Sequence, residues 1–488
     1  MLAVRAWKSS VRRFRVFVLI GGPLLLASSV VRAQSNLPFG LLVSEQARTS
    51  FTLVGAGARA AGMGGAFTAV ADDASAASFN PAGLAQLLVP EASVVFDHTS
   101  LSDGYQGFSS FDQMPTLPLT DSSTRFDRTG FNFASATIPF RLLSRRFAFQ
   151  LSAQRAVDFT YDGTRHLFET DQSGQKLYEL EQTSHQQGAI YTYSASLAVQ
   201  PTERTLLGVT VNRWDGNWSF SSTNTEQQLT AGSEKEAFTF SQSNHLTGWN
   251  YDVGLLLRYP FFNLGLRYRT PFDATYSFQA RLDTNIPTPL TPLPPTRTTL
   301  HWPGSLNVGL AVKPSDTFLL AADWARTDWS KMIFDAPDGT LVNFFDLAPA
   351  GSTLAGRSDD WRIGAEYLLF VGSAVLPVRA GWSREPQPLR DAVTGDRIVR
   401  EGWSFGLGLK KGWLSVDTAV RYTSSNGQVS RFLEAEELAT GALRATSRGT
   451  LDRHDWSVFL SVLVQIPSGS PPERILQEIF VGPSKSAP

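Results

Sequence analysis

The sequence predicts an all-β chain, a transmembrane antiparallel β-barrel of about 14 strands lying in a bacterial outer membrane. Three observations carry that prediction. Apolar and polar residues alternate with period two over much of the chain. The links between alternating segments switch between very short and long. Past Ala33, no stretch is long and apolar enough for a membrane-spanning helix.

At the N-terminus, Arg5, Lys8, Arg12, Arg13 and Arg15 precede an apolar run from Val16 to Val31 that ends in Val31-Arg32-Ala33. A charged region, a hydrophobic region and a small-residue cleavage site read as an export signal peptide over 1–33, with the mature chain starting at Gln34. The alternative is a membrane anchor. It fits less well, because Gly21, Gly22 and Pro23 interrupt a run already short of the about 20 apolar residues a spanning helix needs.

Residues 34–90 do not alternate and are rich in Gly and Ala; alternation then fills 91–466. Leu306, Val308, Leu310 and Val312 sit between Asn307, Gly309, Ala311 and Lys313. The pattern recurs at Trp361, Ile363, Ala365, Tyr367 and Leu369, at Phe405, Leu407 and Leu409, and at Leu414, Val416 and Val420. Successive side chains of a strand point to opposite faces, so each segment is a strand with one apolar surface.

The strands read as approximately 91–98, 129–140, 146–162, 186–199, 204–222, 240–259, 261–282, 302–313, 316–333, 358–370, 375–388, 400–410, 412–432 and 449–466. Links such as Arg141–Arg145, Pro260 and Lys411 are tight, whereas 99–128, 163–185, 223–239, 283–301, 334–357, 389–399 and 433–448 are long. Short periplasmic turns opposite long extracellular loops are the habit of outer-membrane barrels, and a soluble sandwich has no reason to keep that rhythm. Trp324, Trp329, Tyr259, Tyr268, Trp361, Trp382, Trp403, Trp413, Tyr422 and Trp456 fall near strand ends, where amphipathic rings meet the membrane interfaces. Residues 467–488 form a Pro/Ser-rich periplasmic tail in which Glu473–Phe480 has the look of a short helix.

Composition removes several chemistries. The chain has 488 residues, no cysteine and a net charge of −1. Disulfides, thiolate sites and a cysteine nucleophile are excluded, and nothing basic enough for nucleic acid is present. The six histidines show no metal-ligand spacing, and neither a metal nor a cofactor is expected. Gly55-Ala56-Gly57-Ala58-Arg59-Ala60 matches a dinucleotide fingerprint but lacks the βαβ unit it requires. Gly402-Trp403-Ser404-Phe405-Gly406 matches a nucleophile elbow, yet Ser404 lies mid-strand without the sharp turn, so no catalytic residue is assigned.

The segment from Gly57 to Ala85, GARAAGMGGAFTAVADDASAASFNPAGLA, closely resembles the N-terminal hatch of the FadL/TodX family of outer-membrane hydrophobic-compound transporters and the related PorV-like barrels. The resembling positions are Gly62, Gly64 and Gly65, the acidic Asp72 and Asp73, and the turn Asn80-Pro81-Ala82. The resemblance implies that 34–90 is a plug inside the lumen, gated near these residues. It also implies passive uptake of fatty acids or hydrocarbons, long extracellular loops forming a greasy capture groove, and a kink in the third strand that opens a side exit. That kink is expected between Phe147 and Tyr161, although no Gly or Pro occurs before Gly163.

Among inward-facing positions, Arg258, Arg267, Arg269, Arg362, Arg379 and Arg421 are candidates for holding a carboxylate head, against the alternative that they tie wall and plug together. Phe108, Phe111, Leu117, Phe344 and Phe345 are candidates for the capture groove. Hydrophobic small molecules and outer-membrane lipid are the expected partners. A scaffold reading, in which the loops or tail hold a periplasmic or secreted protein and nothing crosses the lumen, stays open beside uptake.

Overall fold

A computed structural model describes residues 55–466 apart from 112–116, 171–175, 230–234, 286–294, 337–338, 346–348, 354, 392–393 and 436–442. The expected signal peptide, the first part of the expected hatch and the expected tail lie outside the described residues.

After a hatch segment, the chain forms strands β1 (Glu91–Phe111), β2 (Leu117–Leu142), β3 (Arg145–Asp158), β4 (Tyr161–Thr170), β5 (Lys176–Gln200), β6 (Thr205–Gln228), β7 (Glu236–Arg258), β8 (Phe262–Arg269), β9 (Phe272–Thr284) and β10 (Thr296–Trp302). It continues through β11 (Ser305–Ser315), β12 (Phe318–Asp328), β13 (Ile333–Asp335), β14 (Leu341–Asn343), β15 (Arg357–Val371), β16 (Ala374–Arg390), β17 (Arg397–Lys411), β18 (Leu414–Ala435) and β19 (Leu443–Gln465). Every pairing is antiparallel, and β1 pairs with both β2 and β19, so the sheet closes into a barrel, with the ladder interrupted where the upper part of β2 faces β4. β3 with β4, β8 with β9, and β10 with β11 are broken halves of single staves, and β13 and β14 form an inner hairpin. The result is a barrel of 14 staves.

The outward faces carry a belt that only lipid can cover. On β17, Trp403, Phe405, Leu407 and Leu409 are each about half exposed, and Trp249, Tyr251 and Val253 on β7 repeat the pattern. Aromatic rings flank this belt, with Trp361, Trp403 and Trp456 on the side of the long loops and Tyr259, Phe261 and Trp413 beside the tight turns. The chain is a transmembrane barrel of the outer-membrane type.

Several expectations need correction, among them the long loop 163–185, most of which is strand in β4 and β5. The first two strands do not stop at 98 and start at 129. They run to Phe111 and from Leu117, paired residue by residue. Above the membrane both faces of a strand meet water, so alternation fades while the ladder continues. The ninth stave ends at Asp328, and Trp329, expected in the interface girdle, turns inward and is buried. The loop after it folds into the lumen as β13 and β14, with β13 pairing onto β10 through Leu300↔Phe334 and His301↔Ile333.

Candidate functional site: a seated hatch beneath an aromatic lumen

The hatch enters the lumen as a five-residue helix, α1 (Ala58–Gly62), followed by tight turns and the 3-10 helices Ala76–Ser78 and Pro81–Gln86. Gly64 and Gly65 take positive φ, the backbone region that glycine enters without steric cost. Gly62 meets the wall backbone at Gly406. The candidate turn is fully buried at Asn80 and Ala82. The Asn80 side chain accepts from the Ala82 N–H at 3.1 Å, which caps the 3-10 helix that Pro81 opens, and donates at 3.0 Å to the carbonyls of Thr68 in the hatch and Leu255 in the wall. One amide thus holds the turn, the hatch and β7 together.

The wall is shaped to receive this backbone. Gly208 pairs with Gly254, Gly265 with Gly309, and Gly364 with Gly381, a belt of inward positions without side chains running from β6 to β16. A Cβ at Gly381 would collide with the amide of Gly64, one at Gly364 with the carbonyl of Met63, and one at Gly254 with the Asn80 side chain. Polar wall residues do the gripping. The Asp323 carboxylate accepts the N–H groups of Phe67 and Thr68 at 2.9 and 2.8 Å, Gln150 donates to the Ala74 carbonyl at 2.7 Å, and Arg267 donates to the Ser78 carbonyl at 2.7 Å. Ser404, the nucleophile-elbow serine, accepts from the Gly64 N–H at 2.9 Å and donates to the Gly62 carbonyl at 3.1 Å, so its hydroxyl is a hatch anchor.

Asp72 and Asp73 come together around Arg59, a residue without an assigned role in the sequence. Its guanidinium contacts Asp72 at 2.6 Å and Asp73 at 3.4 Å, and its other edge grips Glu366 with two bonds of 2.9 Å. Glu366 binds Arg379 at 2.6 Å, and Arg379 binds Asp417 at 2.6 Å. A relay of alternating charge therefore runs from hatch to wall. Burial lifts the Asp73 carboxyl above its ordinary range, with Arg59 and Ser75 pulling it back. A lone arginine in a Gly/Ala segment beside two aspartates was the available signal for this hub.

The candidate lumen arginines are already partnered. Arg267 and Arg269 share Asp252 at 2.7 and 3.1 Å, Arg362 contacts Asp360 at 2.9 Å and Glu385 at 3.3 Å, and Arg421 contacts Glu385 at 3.0 Å. Arg258 stands apart from this network at the periplasmic end of β7. Above the hatch lies a chamber of about 160 Å³, floored by Gly64, Gly65 and Phe79, walled by these ion pairs and roofed by Trp214 and Trp329. Arg269 lies over the Trp214 ring at 5.7 Å, where the charged wall gives way to an aromatic lumen.

That lumen is packed with rings. Trp214 lies 5.0 Å from Trp302 and 5.2 Å from Phe272, Phe159 stacks on Trp218 at 4.4 Å, and Trp329 meets Phe345 edge-on at 5.6 Å. Phe344 and Phe345, read from sequence as part of an exposed groove, are buried in this cluster by the inner hairpin. Phe108, Phe111 and Leu117 lie on the extracellular ends of β1 and β2, and their side chains fall outside the described residues.

Beside the aromatic lumen the wall has a seam. The ladder joining β2 to the third stave runs from Leu142↔Arg145 to Phe133↔Gln154 and stops there. The third stave then breaks at Phe159-Thr160, inside the expected window, and β4 pairs with β5. Gly188 on β5, at φ +120°, makes the break possible: its carbonyl takes the Phe159 N–H at 2.9 Å, and a Cβ there would strike Trp218. Across the seam lies Arg155, buried over Gly130 and ion-paired to Asp97 and, at 3.0 Å, to Asp158.

A family model described as an uncharacterised protein family (UPF0164) matches residues 31–114. No curated protein matches the chain. Among solved structures, a Pseudomonas aeruginosa FadL homologue superposes with a TM-score of 0.59 at 15% identity, covering 85% of this chain and 99% of that one. A mutant of TodX, described as a monoaromatic hydrocarbon channel, gives 0.51 at 15% identity, covering 85% of this chain and 100% of its own. The CymD monoaromatic hydrocarbon channel gives 0.50 at 15% identity, covering 86% and 100%. The fold is that of the FadL/TodX-type outer-membrane barrels.

Proposed function

We propose that this barrel is a passive outer-membrane channel for small hydrophobic molecules, and that neutral hydrocarbons, aromatic ones above all, suit it better than long-chain fatty acids. The observation that carries the reading is the pairing of a closed hatch with an aromatic lumen that borders a break in the wall ladder. A water-filled pore needs neither. A molecule that prefers rings to water would partition among Trp214, Trp218 and Trp329 and leave sideways at the seam near Phe159, never having to pass the charged hatch. The preference for neutral cargo rests on the arginines. Each of those facing the chamber is matched by a carboxylate of the wall, so a fatty acid head would have to displace a buried pair that loses more than it gains. The descriptions of the TodX and CymD barrels as monoaromatic hydrocarbon channels agree with this reading.

The test is uptake of labelled toluene and of labelled oleate by cells whose outer membrane carries this barrel or none. Barrel-dependent entry of toluene, several times faster than that of oleate, is the expected result. Asn80→Ala, which removes hatch hydrogen bonds of about 1 kcal/mol each, should leave toluene entry about unchanged, because the exit at the seam does not pass the hatch, while the barrel keeps its heat-modifiable mobility on gels. Toluene entry equal with and without the barrel at matched surface abundance would sink the proposal.

A further inference from the structure

The outer wall beneath the seam departs from the rest of the lipid-facing belt. Elsewhere most outward positions carry large side chains, with a smaller interruption at Ala322, Ala365 and Ala380 on β12, β15 and β16. Here the register aligns Ala134 on β2, Ala153 on β3, Tyr193 on β5, Arg213 on β6 and Trp249 on β7 in one row across five strands. The next row toward the membrane centre is Ala136, Leu151, Ala195, Val211 and Tyr251. Four alanines replace bulk over β2, β3 and β5 and leave a shallow, open depression in the wall between Leu151, Tyr193 and Trp249. In a bilayer such a hollow is filled by hydrocarbon, because a gap forfeits its dispersion contacts.

The upper end of the groove is not apolar. The Arg213 guanidinium lies 5.3 Å from the centre of the Trp249 ring, at the level of the aromatic girdle. Its partner Asp215 is 3.5 Å away, at the limit of hydrogen bonding, and is shared with His245 at 3.6 Å. The pair is about one third exposed, so it is weak, and among the described residues the guanidinium has no other hydrogen-bond partner, which leaves donors to face the headgroup region. A cation at the interface with an apolar hollow running from it toward the membrane centre matches one shape of molecule, an anionic headgroup with an acyl chain below it.

We propose that this wall holds one anionic membrane lipid in a fixed place, its phosphate on Arg213 and one acyl chain in the alanine groove. Arg rather than Lys suits the task, since the planar fork pairs with phosphate oxygens while its face rests on indole. Ala134↔Ala153 is the pair next to the last rung of the β2–β3 ladder, so the held chain lies directly under the seam. The proposal does not rest on the transport reading, since the groove and its cation face lipid whatever crosses the lumen.

The test uses the intact barrel reconstituted in vesicles of equal phosphatidylglycerol and phosphatidylcholine, then extracted into mild detergent, with retained lipid counted by native mass spectrometry. About one phosphatidylglycerol per barrel should survive washing. Arg213→Gln should lower the preference for phosphatidylglycerol about tenfold, the value of one charge-assisted hydrogen bond. Ala153→Phe, which fills the groove from the lipid side, should abolish retention of either lipid. Gel mobility of unheated samples verifies that both variants are folded barrels. Equal retention of the two lipids by the unmodified barrel, or retention unchanged in both folded variants, overturns the proposal.

Discussion

Arg59 shows how one residue can set the state of the hatch. Its guanidinium faces Asp72, Asp73 and Glu366, with Ser75 on the far side of Asp73 and Arg379 behind Glu366. Because burial raises the folded pKa of Asp73, the seated hatch favours the protonated acid, and its ionisation costs seating energy as pH rises through that raised value. Arg59 offsets that cost. Arg59→Met should therefore give a barrel whose hatch is seated in acid and loosens as pH rises, seen in planar bilayers as a conductance absent at low pH and present at neutral pH. A conductance independent of pH would mean that Arg59 acts by packing alone. The sequence displayed Asp72, Asp73 and Asn80 because they sit in a recognisable segment. It hid Arg59, Asp323 and Ser404 because their meaning lies in partners some 250 to 340 residues away.

At the scale of elements, alternation made the staves legible and said little about what breaks them. The kink in the third stave carries no glycine or proline of its own. The permissive residue, Gly188, sits on the neighbouring strand, and only the register brings it opposite Phe159. The inner hairpin misled for a related reason. Phe344-Phe345 looked like an exposed greasy loop, since a sequence cannot tell a loop that reaches outward from one that turns back into a lumen. The glycine belt, in contrast, was visible as small residues alternating with Leu and Ile, but its purpose needed the hatch. That purpose is testable at Gly381, whose missing Cβ leaves room for the Gly64 backbone. Gly381→Val should unseat this side of the hatch, giving a folded barrel with raised small-ion conductance. The same change at Gly372, in a periplasmic turn where a Cβ meets nothing within 4 Å, would strain a positive φ yet leave conductance unchanged. Equal leak from both variants would show that the belt does not seat the plug.

The whole molecule separates two solvents with one sheet, and the period of two that made it readable is also what stabilises it. Odd positions of β17 face lipid and even ones face the hatch, so chemistry appropriate to one side is ruinous on the other. The consequence is a gradient with depth. Leu407 is outward-facing near the middle of the belt, and Trp403, four residues nearer the long loops, lies in the aromatic girdle. An arginine on the lipid face costs about 2–4 kcal/mol at the midplane and about 0–1 near an interface. Leu407→Arg should accordingly lower the unfolding free energy measured by urea titration in lipid vesicles by the larger amount, and Trp403→Arg by the smaller, apart from the packing its ring loses. Snorkelling rescues the second, because the girdle lies within reach of headgroups, and cannot rescue the first. If both substitutions cost the same, the belt is not centred where the exposure pattern puts it, and the level assigned to Arg213 at the rim of the lipid groove shifts with it.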